Sequence, residues 1–65
     1  MKLILTNTEH KGAECIIEEL GGNLAVNYIT PAEDIWVYDG PAHGAAATQL
    51  KADIKRAGWK VKEWT

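Results

Sequence analysis

Glycine and proline cut this chain into pieces too short for any long element. Gly21-Gly22, Thr30-Pro31, Asp39-Gly40-Pro41 and Gly58 punctuate it, and each is a place where a helix or strand ends. Six pieces result. A short helix or strand buries only one stripe or one face, so the pieces must cover one another in layers. The 65 residues leave room for a single domain, residues 1–65, and no second core. A domain of this size buries roughly 60% of its unfolded surface, so burial and chain entropy nearly cancel. Close packing, a staple or a partner has to supply the difference.

The staples are quickly excluded. One cysteine forms no internal disulfide. Cys15, His10 and His43 are the whole stock of sulfur and imidazole ligands, and they lack the CxxC or HxxxH spacing of a structural zinc site. No metal and no cofactor is expected. With 46% hydrophobic and 25% charged residues, the composition is that of a folded chain rather than a disordered or fibrous one. No apolar run approaches the ~20 residues of a membrane helix, and Leu3-Ile4-Leu5 is too short for a signal-peptide core. The expectation is a free-standing cytoplasmic protein with a reduced thiol.

The periodicity of each piece predicts its structure. Lys2 to Thr6 is a short apolar run suited to a strand buried on both faces. Thr6 and Glu9 fit a capping box, with Thr8 as the alternative cap. Ala13, Ile16, Ile17 and Leu20 then recur at helical spacing, which predicts a helix to about Leu20, ended by Gly21-Gly22. Leu24 to Thr30 alternates, with Leu24, Val26 and Tyr28 on one face. Thr30 to Asp34 is a turn. Ile35 to Tyr38 is a strand of β-branched and aromatic residues. A second helix follows from Pro41 to about Ala57, capped by Asp39, with Ala46, Leu50, Ile54 and Ala57 as its stripe. Trp59 to Trp64 reads as an edge strand guarded by lysines. The order β-α-β-β-α-β is the ferredoxin-like, or split βαβ, arrangement. It predicts an α+β two-layer sandwich: a four-stranded antiparallel sheet, ordered 4-1-3-2, with two helices on one face. The runner-up is a βαββα core whose last strand pairs with a second copy.

The aromatic residues carry the functional expectation. There is no phenylalanine, but three tryptophans and two tyrosines, all in predicted strands. If Ile35 and Val37 face the helices, Trp36 and Tyr38 point outward, with Ile4, Trp64, Lys60 and Lys62 beside them. Large, stiff, half-polar rings of this kind are favoured at protein interfaces. Aromatics between lysines also suit unpaired bases and phosphates, which makes single-stranded nucleic-acid binding the alternative. Charge is polarised: residues 1–48 hold two basic and seven acidic groups, a balance of −5, and residues 49–65 hold five basic and two acidic, +3. Such polarity favours oriented encounter or self-association, including a homodimer. Glu14 and Glu18, with Glu19, form a second, acidic surface on the first helix.

The remaining chemistry-bearing residues read as structural. Cys15 falls off the apolar stripe toward the polar side, partly exposed, with no base in reach to activate it. His43 falls within the apolar arc of the second helix. Residues 39–44 could hold an anion at a helix N-terminus, but a capping Asp39 explains them as well. Asp53 is satisfied if it pairs with Arg56 or Gln49. Paired carboxylates do acid–base work only in a cleft, and a chain this short forms few, so no catalytic residue is assigned. The expected function is a small, non-enzymatic binding or regulatory protein acting by protein–protein contact. A phage or mobile-element inhibitor of a host macromolecule is one such role. Its contact residues would be Trp36, Tyr38 and Trp64, oriented by Lys60 and Lys62, with Glu14 and Glu18 as the second surface.

Overall fold

A computed structural model describes residues 1–64; Thr65, the last residue of the expected 1–65 domain, lies outside the described residues. The described residues form five strands and one helix: β1 (Lys2–Thr6), β2 (Glu14–Leu20), β3 (Asn23–Ile29), β4 (Asp34–Pro41), α1 (Ala45–Arg56) and β5 (Lys60–Trp64). All five strands lie in a single antiparallel sheet ordered β4-β3-β2-β1-β5. This corrects the β-α-β-β-α-β expectation with its two helices, four strands and order 4-1-3-2. One helix covers one face of a five-stranded sheet.

The difference lies between residues 7 and 20. The expected capping box at Thr6 and Glu9 is not made. Asn7 is buried, and its side-chain oxygen accepts from the Glu9 N–H at 3.0 Å, an Asx turn that bends the chain away from a helix. Gly12 takes φ +83, which a helix interior does not allow. Cys15-Ile16-Ile17 then runs as a strand of alternating faces. Gly21 and Gly22 both have positive φ, +59 and +80, and Leu20 pairs with Asn23 across them. Two glycines between two apolar runs therefore make a tight hairpin of type I′ character rather than a helix stop.

The second hairpin closes on Thr30, whose N–H donates to the Glu33 carbonyl at 2.9 Å and whose hydroxyl accepts from the Glu33 N–H at 3.1 Å. Strand β4 is longer than expected and carries a bulge. Tyr38 partners Val26 and Trp36 partners Asn27, which leaves Val37 as the extra residue. The helix starts at Ala45 rather than Pro41. Gly44 precedes it at φ +111 with no side-chain cap, and Asp39 instead accepts from the Asn23 amide at 2.9 Å. At the other end Gly58, at φ +94, turns the chain, and Ala57 and Gly58 donate back to the Asp53 and Lys55 carbonyls. Asn7 donates to the Ala57 carbonyl at 2.9 Å. One buried side chain thus ties the β1–β2 loop to the helix C-terminus and satisfies a carbonyl that helix ends leave open.

The core lies between the helix and the inner face of the sheet. Leu5, Cys15, Ile17, Leu24 and Val26 from the strands meet Ala42, Ala47 and Ile54, with Leu3, Tyr28, Tyr38, Leu50 and Trp59 packed around them. Ala47 and Ile54 are the buried residues of the helix. Cys15 is fully buried in this core, contrary to the expectation of partial exposure, because a strand and not a helix presents it. Asp53 pairs with both Gln49 (2.9 Å) and Arg56 (3.5 Å), as expected of a satisfied helix carboxylate.

Candidate interaction surface: the outer face of the sheet

Strand registers lay the outer face out as three rows, with a shorter fourth of Leu20, Asn23 and Pro41 at the far end. The middle row reads Glu63, Ile4, Ile16, Asn27, Trp36 from β5 to β4; the row nearer the β1–β2 loop reads Lys60, Thr6, Glu14, Ile29, Asp34. The third row holds Lys2, Glu18, Ala25 and Asp39. Paired residues of neighbouring strands share a face. None of these positions is covered by the helix. Isoleucines 4, 16 and 29 are half-buried among their neighbours, and Trp36 stands 69% exposed at the end of the middle row. The Lys62 ammonium lies 3.4 Å from the Glu14 carboxylate, joining the β5 edge to β2 over this face.

The expected contact residues are therefore partly gathered and partly separated. Trp36, Lys60, Lys62, Glu14 and Glu18 share the outer face, although the two glutamates were expected on a helix. Glu19 goes to the opposite face, 3.7 Å from Lys51 of the helix. Tyr38 does not join Trp36. The bulge at Val37 turns it inward, where it partners Val26 and donates its hydroxyl to the Pro41 carbonyl at 2.7 Å. Its ring lies over Gly40, where a Cβ would approach the hydroxyl to 3.1 Å, so the ring and a side chain at position 40 compete for one space. Trp64 is also displaced. A second irregularity, in the β1–β5 pairing between Ile4 and Leu5, puts Val61 opposite Leu5 and Trp64 opposite Leu3, both core-side residues. Trp64 remains 74% exposed, on the helix side of the sheet.

An aromatic stack that the sequence did not announce sits at the helix C-terminal end. Trp59 stacks on Tyr28 with centroids 5.4 Å apart and on His10 at 6.1 Å. A shallow groove beside it is lined by His10, Tyr28, Ile35 and Trp59. Burial raises the Tyr28 hydroxyl pKa, and the neighbouring Cys15 and Asp53 add to the rise. His43 lies exposed in the segment before the helix rather than in its apolar arc.

The chemistry on offer is limited. Burial pushes the Cys15 thiol up to about 11, so at neutral pH it is protonated and a poor nucleophile. No group of three or more metal-ligating side chains occurs among the described residues. No helix among them is long and apolar enough to cross a membrane. No protein family, curated protein or solved structure matches the chain. The surface itself carries the functional argument.

Proposed function

We propose that this chain is a small, non-enzymatic binding protein that acts by protein–protein contact through the outer face of its sheet. The observation that carries this reading is a sheet face left uncovered by the described residues, with Trp36 69% exposed on the same face as Ile4, Ile16 and Ile29. An apolar centre with an aromatic anchor and a charged rim is the anatomy of a protein interface. Docking there would block or redirect a larger macromolecule by occlusion, as a phage or bacterial regulator does. A cytoplasmic setting, where a lone reduced cysteine is stable, belongs to the same reading.

The two edges of the sheet are poorer docking sites. Both edge strands are irregular, β4 at Val37 and β5 near Lys62, and β5 carries two lysines. Bulges and edge lysines discourage strand addition. Single-stranded nucleic acid is also less well supported than the lysines first suggested. Lys2, Lys60 and Lys62 share the face with Glu14, Glu18, Asp34, Asp39 and Glu63, an acidic surplus that repels phosphates.

The test is a nuclease-treated capture from native-source lysate with the tagged full chain and with Trp36→Ala. A stoichiometric protein retained by the first and lost by the second is the expected result. Recovery that disappears with nuclease, or that ignores Trp36, overturns the proposal.

A further inference from the structure

Reversing the strand order across the outer face exchanges a basic end for an acidic one. On the row nearest the β1–β2 loop, β5 contributes Lys60 and β4 contributes Asp34, with Thr6, Glu14 and Ile29 between. Lys62 strengthens the basic end, and Asp39 on β4 the acidic one. Strand β2 is the midpoint, and Ile16 is the middle residue of the middle row. A face whose two ends are charge opposites about an apolar centre is complementary to its own rotated copy. An isologous dimer requires this property.

We propose that a second copy of this chain covers the outer face, related by a two-fold axis that runs parallel to the strands over β2. The inference rests on the reading above, that this face is the contact surface, and it puts a second copy there in the protein on its own, so that a larger macromolecule docks in competition with the dimer. Two sheets then pack face to face with strands nearly aligned, the ordinary geometry of a sandwich. Lys60 of each copy meets Asp34 of the other. Ile16 meets its own counterpart on the axis, Thr6 faces the second copy's Ile29, and Glu63 faces its Trp36. The alternative axis, perpendicular to the strands, sets Asp34 against Asp39, a like-charge contact where the chosen axis sets Asp34 against Lys60, so charge favours the chosen axis. Along the chosen axis Glu14 and Glu18 also meet their own copies, but each has a lysine of its own chain beside it. Lys62 lies 3.4 Å from Glu14, and Lys2 stands opposite Glu18 in the β1–β2 register.

The face is large enough, though not by much. The molecule measures 30 × 20 × 20 Å, so one broad face gives roughly 600 Å² per copy and about 1,200 Å² in total, the lower bound of specific interfaces. The dimer should therefore dissociate in the micromolar range rather than the nanomolar.

Sedimentation equilibrium of the full chain, from about 1 μM to 1 mM, tests this. The wild-type chain should pass from monomer to dimer. Lys60→Glu and Asp34→Lys should each weaken dimerisation about tenfold, because each places two like-charge pairs in the interface. The double variant, Lys60→Glu with Asp34→Lys, should return to within about threefold of wild type, since it restores both pairs with the signs exchanged. Ile16→Lys should leave a monomer whose circular dichroism matches wild type. The charge-swap series decides the question if that variant does not fold. A dimer indifferent to all these changes uses another surface and overturns the proposal, as does a chain that stays monomeric at 1 mM. If that monomer still captures another protein through Trp36, only the identity of the occupant was wrong. If it captures nothing through Trp36, the contact-surface reading falls as well.

Discussion

The two faces of the sheet share one backbone and differ in what covers them. The inner face is filled by Leu5, Cys15, Ile17, Leu24 and Val26 and closed by the helix through Ala47, Leu50 and Ile54. The outer face is also apolar at its centre, with Ile4, Ile16 and Ile29, but its rows end in charges or in Trp36, and none of the described residues lies over it. The inner residues are mostly below a tenth exposed, whereas Trp36 is 69% exposed. Hydrophobic residues thus serve two ends here. On one face they hold the fold together. On the other they leave a surface whose apolar area is not yet removed from water. Stability and contact should therefore separate cleanly by face.

The largest expected effect is on the inner face. Leu24 has no exposed surface, and Leu24→Ala should cost about 2–5 kcal/mol, the transfer loss plus the cavity. A domain of this size holds only ~5 kcal/mol in all, so the variant should be largely unfolded at 37 °C by thermal denaturation. A loss below about 1 kcal/mol would mean that the helix collapses onto the gap, and that the inner face is less tightly packed than the burial implies.

The next effect is a pH dependence confined to the same face. Cys15 titrates at about 11 against an ordinary 9.0. Below pH 9 the thiol keeps its proton in folded and unfolded chains alike, and its contribution to stability is fully present. Above that, the unfolded chain gives up a proton that the folded one retains, so stability falls until the thiol itself titrates near pH 11. A two-unit rise corresponds to roughly 2–3 kcal/mol. Urea denaturation of wild type against Cys15→Ala should show the two curves converging between pH 9 and 11, which cancels the lysines that titrate in both. Parallel curves would place the thiol in contact with water.

Much of this contrast was legible in the sequence. The first strand, the turn at Thr30–Glu33 and the shared face of Leu24, Val26 and Tyr28 follow from alternation and turn chemistry, and Trp36 and Ile4 point outward once Ile35 is set inward, a choice that alternation alone does not make. The segment from Ala13 to Leu20 did not, because its apolar residues satisfy two periods. Ala13, Ile16, Ile17 and Leu20 fit a helix, while Cys15 and Ile17 against Ile16 fit a strand. The decision belongs to Gly21-Gly22 and to the partner strand β3, which sets Val26 opposite Ile17, and local periodicity does not see partners. The contact set lost two of its aromatics for a related reason. Tyr38 and Trp64 each follow an irregularity in an edge strand, and one extra residue sends the next side chain to the other face. A bulge is defined by two strands together, so alternation within one strand cannot announce it. The His10–Trp59–Tyr28 stack was hidden likewise, since His10 reaches Trp59 only once the segment after it is a hairpin.

The smallest expected stability effect is the most telling for function. Trp36 buries little in the folded chain, so Trp36→Ala should change unfolding free energy by no more than about 0.5 kcal/mol, as surface substitutions do. The comparison has to be made at low micromolar concentration or below, where association adds little to the apparent stability. A tryptophan that contributes nothing to its own fold yet is needed for capture or self-association is a contact residue by definition. If Trp36→Ala instead costs 2 kcal/mol or more in the monomer, the ring is supporting Asn27 and the β3–β4 pair. The outer face would then be a second, thinner core, and the division of labour between the faces would fail.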